Sequence, residues 1–208
     1  MGTANTGKKR NKVNVFNITL LGILTAIVIV LQSVGATIRF GTFSITLVLL
    51  PIVIGAALIH PLAGGWLGFV FSIVVLLTDA GPFLAVNIIG TIITVIVKGT
   101  LAGIAAGYVY RLLSKANNFV ATVAAAATAP IVNTGIFIIG SYIFFLPTIS
   151  EWAAGAGFTN ATAFIFLVLV GWNFVLELAV NLVLSPTITF LLGYARKRVV
   201  SSRTTGQA

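Results

Sequence analysis

The sequence predicts an all-α integral membrane protein with six transmembrane helices and both termini in the cytoplasm. Three observations predict it. Of 208 residues, 59% are hydrophobic and only 7% charged, with a mean hydropathy of +1.14. A soluble domain of this size cannot hide that much apolar surface, so the solvent is lipid. The apolar residues fall into six runs separated by short polar breaks. The net charge of +9 is concentrated at run ends: Lys8, Lys9, Arg10 and Lys12 precede the first run, and Arg196, Lys197, Arg198 and Arg203 follow the last. Basic residues at span ends mark the cytoplasmic side.

The first run, Phe16–Val34, is too long for a signal peptide and shows no small-residue cleavage site, so it reads as a retained helix. The second and third, Ile45–His60 and Leu62–Leu77, are short for a bilayer that takes about 20 residues as helix, and belong beside longer neighbours. The fourth, Phe83–Leu113, is long enough to tilt or to begin as a loop. The fifth and sixth are Phe119–Phe145 and Ala163–Leu192. Six crossings put both tails and the Arg111/Lys115 pair in the cytoplasm, and leave Arg39, Asp79 and Glu151 outside. The expected division is a basic tail over 1–15, a membrane domain over 16–194 and a second basic tail over 195–208.

The outer connections are Gly35–Ser44, Thr78–Pro82 and Pro147–Thr162. The first holds Arg39 and Phe40. The last holds Trp152, Gly155, Gly157 and Asn160. Such segments either close over a ligand or simply join helices, with aromatics resting at the interface.

Small residues recur at spacing four: Gly22/Ala26, Gly64/Gly68, Gly99/Gly103/Gly107 and Ala121/Ala125/Ala129. Small side chains let membrane helices approach closely. Most such series pack within a subunit. Gly22/Ala26, on an otherwise bulky apolar span, is the candidate for a partner helix.

Against this apolar background stands a polar stripe. Asn87, Thr91, Thr94 and Lys98 are spaced four, three and four apart, and Asn173, Glu177 and Asn181 four and four, so each set shares a helical face. Asn133 and Thr134 lie mid-span in the fifth run. A charge at membrane depth costs roughly 3 kcal/mol on insertion scales and is kept for a task or tied up in a pair. Lys98 lies roughly 16 Å below Asn87, Glu177 roughly 22 Å below Thr162 and Asn133 roughly 21 Å below Pro147, at 1.5 Å per residue. The three can therefore meet near mid-membrane under the outer connections. The functional reading is a site for a small polar molecule. Lys98 offers a cation, the asparagines donate and accept, Trp172 and Phe83 supply apolar walls, and Arg39 adds a charge at the mouth. The structural alternative is a Lys98–Glu177 pair neutralising itself, with asparagines bonding between helices. A proton relay through Glu177 is a third possibility.

Absences narrow the class. There is no cysteine, and a single histidine, His60, cannot build a histidine metal cluster. No G-x-x-x-x-G-K-[ST] loop occurs; Gly2 to Lys8 keeps the glycine spacing, but Lys9 stands where the hydroxyl residue belongs. No G-x-S-x-G or carboxylate pair is present. No cofactor is implied. Nucleic-acid binding would need a basic folded face, which the pattern lacks; anionic lipid headgroups are the partners of the basic ends. Two similar halves of the kind found in secondary transporters are also missing.

The run Ile45-Thr46-Leu47-Val48-Leu49-Leu50-Pro51-Ile52-Val53-Ile54-Gly55-Ala56, then Pro61-Leu62-Ala63-Gly64-Gly65 and Gly68-Phe69-Val70-Phe71, resembles the second and third spans of substrate-binding (S) components of energy-coupling factor (ECF) vitamin transporters. Gly99–Leu113 resembles their fourth span, and length and span number agree over nearly the whole chain. The resemblance implies a subunit of the bacterial plasma membrane that captures a vitamin from outside. That subunit works with a membrane coupling subunit and two ATPases, and the first span docks through Gly22 and Ala26. It also implies a pocket built from the later spans. The second-span pattern is closest to the pantothenate branch, and pantothenate's carboxylate, amide and hydroxyls suit Lys98 and the asparagines; Glu177 argues against a simple anion site, and the pyridoxine-like, hydroxymethylpyrimidine and cobalamin branches stay open. The rivals are a stand-alone transporter or facilitator and a structural membrane subunit without ligand.

Overall fold

The computed structural model describes residues 15–37, 39–40, 43–44 and 47–205. Lys8, Lys9, Arg10 and Lys12 lie outside the described residues. The chain is helical apart from a two-stranded antiparallel ribbon, β1 (Arg39–Phe40) and β2 (Phe43–Ser44). Helix α1 spans Val15–Thr37, α2 Leu49–Leu58 and α3 Pro61–Thr78. The fourth run is broken: α4 covers Gly81–Val86 and α5 Ile88–Leu113. Next come α6 (Asn118–Phe144), α7 (Leu146–Gly155) and the single turn α8 (Ala161–Phe164). A π-helical segment, Ile165–Gly171, runs into α9 (Trp172–Thr205). Five stretches among the described residues are long and apolar enough to cross a bilayer, and α2, at ten residues, is shorter.

The centre of the bundle is α5, packed between α3 and α6. Glycine makes this possible. A Cβ at Gly64 would stand 2.6 Å from the Gly103 carbonyl oxygen, and one at Gly68 would strike that of Gly99. At Gly107 it would stand 2.6 Å from Pro61 Cα. The two backbones are therefore in direct contact along the seam, which yields dispersion energy that lipid cannot match. Ser72 reinforces it: its hydroxyl lies 2.9 Å from Gly68 O on its own helix and 2.7 Å from Val95 O on α5. Leu49, Ile52, Val53 and Leu67 fill the space beside the seam, and Ala121, Ala125 and Ala129 bring α6 close on the other side.

Helix ends carry their own caps. His60 Nδ1 accepts from Leu62 N–H at the start of α3, and its Nε2 lies 3.1 Å from Arg111 Nη1 of α5. Asn117 caps α6 through Phe119 and Val120 N–H. The His60/Arg111 end and the opposite Asp79 end thus define the two faces of the bundle.

The connection Pro147–Thr162, expected either to close over a ligand or simply to join helices, is largely helical. Proline follows Leu146 at the start of α7, where its missing N–H is harmless. Ile149 and Ala153 anchor α7 onto Phe145, Phe164 and Ile165 in a second apolar cluster at the Asp79 end.

Candidate functional site

Beneath that cluster lies a cavity of about 120 Å³ lined by Val75, Asp79, Ala80, Phe83, Thr91, Thr94, Val95, Lys98, Phe137 and Phe145. A single water needs about 10–15 Å³, so there is room for a small-molecule group. Each wall has a local cause. Thr91, Thr94, Val95 and Lys98 recur at helical spacing along one face of α5. Val75 and Asp79, four apart, close the α3 side. Phe83 comes from α4, which exists as a separate turn because the chain kinks at Asn87.

Asn87 has φ −150° and ψ 99°, outside the helical region, and its side-chain carbonyl accepts from Gly90 N–H at 2.8 Å to start α5. The sequence reading placed Asn87 on the site face; the structure makes it an N-cap, a role asparagine fills well. Thr91 Oγ1 donates to Asn87 O at 2.7 Å. Thr94 Oγ1, by contrast, is buried with no hydrogen-bond partner among the described residues. A buried hydroxyl left unmatched costs roughly 1–3 kcal/mol, so a hydroxyl kept in that state points to a partner absent from the protein itself.

The Lys98 ammonium sits 5.3 Å from the centroid of the Phe137 ring, within cation–π range. The carboxylates of Glu177 and Asp79 both attract it. Phe83 is the hub of the aromatic roof, edge-on to Phe137, Phe145 and Trp152 at centroid distances of 5.6, 5.1 and 5.6 Å. Cation, carboxylate, hydroxyls and aromatic roof form a mostly apolar site with a few placed polar groups, as ligand sites are built.

Four residues singled out from the sequence line this cavity: Phe83, Thr91, Thr94 and Lys98. Asn133 lies one turn along α6 from Phe137, 7% exposed, with Oδ1 unmatched among the described residues. Glu177 and Asn173 lie on α9 beside the cavity, not in its wall. Asn181 Nδ2 is engaged by Glu177 O within α9 at 2.7 Å. Trp172, the first residue of α9, is 63% exposed and is not among the residues lining this cavity. Arg39 sits on β1, and its side chain lies outside the described residues. The proposed docking pair is open: Gly22 and Ala26 are exposed, and nothing stands within 4 Å of a Cβ at Gly22.

Sequence reasoning missed Asp79 and Gln32. Asp79 was placed in an outer connection, yet it is the C-cap of α3 and lines the cavity. Gln32 of α1 is 1% exposed and donates from Nε2 to Asp79 Oδ2 at 2.7 Å. A buried glutamine in an otherwise apolar span was the available signal.

The sequence model of the family described as "ECF transporter, substrate-specific component" matches residues 16–189. The chain belongs to this family of ECF transporter substrate-specific components. The solved structure of ThiT from Listeria monocytogenes aligns with a TM-score of 0.60 at 18% identity, covering 88% of this chain and 96% of that one. At that identity the likeness is one of fold. No curated protein matches the chain. As an ECF substrate-specific component it is a multi-pass membrane protein and a transport subunit, one that binds a vitamin-type substrate and partners the shared ECF module.

Proposed function

We propose that this ECF substrate-specific component captures pantothenate from outside the cell in the Lys98 cavity and hands it to an ATP-driven module of one coupling subunit and two ATPases. The observation that carries the reading is that the unmatched Thr94 hydroxyl and Lys98 line one cavity. Pantothenate has matching parts. Its carboxylate suits Lys98, its amide and hydroxyls suit Thr91, Thr94 and the nearby Asn133, and its dimethyl centre suits Phe83, Phe137 and Phe145. The second-span pattern supports the same branch. Asn173, Glu177 and Arg39 complete the polar surroundings in this reading.

The crossing number is six, with α2 and the residues before it as the second crossing. Arg111 and Lys115 lie at the opposite end of α5 from Asp79, so the positive-inside rule makes the His60/Arg111 end cytoplasmic and the cavity outward. Residues 16–194 form the membrane domain between two basic tails. Gly22 and Ala26 supply the docking face for the coupling subunit, supported by their exposure on α1. Catalysis of ATP hydrolysis belongs to the partners.

Mass spectrometry of small molecules co-purifying with the protein, followed by equilibrium titration of the released ligand, tests this reading. Pantothenate recovered near one equivalent supports it. A different vitamin recovered in its place overturns the pantothenate assignment.

A further inference from the structure

We infer that Asp79 is a specificity-determining residue of the cavity, accepting a hydrogen bond from a donor group of the substrate, and that Gln32 of α1 positions its carboxylate for that contact. The inference deepens the pantothenate reading and rests on it. The register of the α3–α5 seam locates the two charges. Gly64 faces Gly103, Gly68 faces Gly99, and Ser72 bonds to Val95, so the paired numbers hold a constant sum. Continued, that register sets Asp79 level with Ile88, ten residues and about 15 Å along the axis from Lys98. Both residues line one cavity, reaching it from different levels of the bundle. Thr91 and Thr94 lie between them on α5.

Charge balance alone does not account for Asp79. Glu177, on a different helix, is a second carboxylate within electrostatic reach of Lys98. Nor is Gln32 there for its own satisfaction. Its Oε1 is buried without a partner among the described residues, a costly arrangement, while its Nε2 holds Asp79 Oδ2 at 2.7 Å. A fully buried amide on a membrane-spanning helix, with one good bond and that bond to a cavity carboxylate, acts by fixing the carboxylate. A carboxylate at one end and an ammonium at the other select a molecule with donors at one end, an acidic group at the other and an apolar middle. A second acidic group at the Asp79 end is repelled.

The test uses the full-length protein in lipid nanodiscs and two probes: pantothenate, and N-(3,3-dimethylbutanoyl)-β-alanine, which keeps the acid, the amide and the quaternary centre at its place in the chain but lacks both hydroxyls. Titration calorimetry of the wild type is expected to favour pantothenate by about tenfold, the scale of a hydrogen bond to a charged group. Asp79→Ala is expected to bring that ratio below about twofold. Asp79→Asn, which keeps the shape and one acceptor, is expected to retain an intermediate ratio and covers the case in which the alanine variant does not fold. Gln32→Met, which removes the donor at similar volume, is expected to lower the ratio in the same direction; a purely structural role would weaken both probes equally. An unchanged ratio in Asp79→Asn and Gln32→Met overturns this inference alone. A wild type that binds neither probe overturns the pantothenate reading and this inference with it.

Discussion

At the residue scale, Thr94 separates a packing role from a binding role. A hydroxyl buried for packing loses stability when replaced; one awaiting a ligand gains it. Thr94→Val is therefore expected to raise unfolding stability slightly, by about 1 kcal/mol, because the unmatched group disappears. Pantothenate binding should weaken severalfold at the same time. Thermal unfolding and calorimetry on the same preparation check both signs, and a destabilised variant with intact binding would assign Thr94 to packing. Lys98→Ala removes the cation at the deep end of the cavity. It is expected to weaken pantothenate binding by about 30-fold, near 2 kcal/mol, the scale of a charge-assisted bond. Asn87 behaves differently because its carbonyl caps α5. Asn87→Ala is expected to cost about 1 kcal/mol of stability and to leave the preference between ligands unchanged.

At the scale of elements, the glycine series divide into two kinds that spacing alone does not distinguish. Gly64, Gly68, Gly99, Gly103 and Gly107 form a closed seam, where an added Cβ meets backbone. Gly22 meets nothing. Gly103→Val is therefore expected to destabilise the detergent-solubilised protein by about 1–3 kcal/mol or more, since a helix must move to admit it. Gly22→Leu is expected to leave the melting temperature unchanged. If α1 is the docking helix, Gly22→Leu also abolishes co-purification with the ECF module; a variant that still assembles normally would remove α1 from that role. The seam was legible because glycines at spacing four on two neighbouring runs have few other uses in a membrane. The break at Asn87 was not, because Asn87, Thr91, Thr94 and Lys98 fit one uninterrupted helix equally well. Only the cap bond to Gly90 shows where the helix begins.

At the scale of the molecule, hydropathy and charge placement gave the architecture, since lipid allows few alternatives to a helical bundle. Half of the cavity was also within reach. Lys98 and the two threonines announce themselves by their cost in lipid. Asp79 did not, because a carboxylate at the end of a run reads as solvated; its inward course depends on the α3–α5 register and on Gln32, a contact across 47 residues of sequence. The site accordingly draws on α3 as well as on α4, α5 and α6, with Glu177 of α9 contributing charge from beside it. The central claim is that this chain binds its substrate but cannot move it alone. Uptake of radiolabelled pantothenate into proteoliposomes tests it most directly. The chain alone should hold label up to about one equivalent and no more, with accumulation only when the ECF module and internal ATP are added. Accumulation by the chain alone, driven by a proton gradient or by the solute gradient, would contradict it.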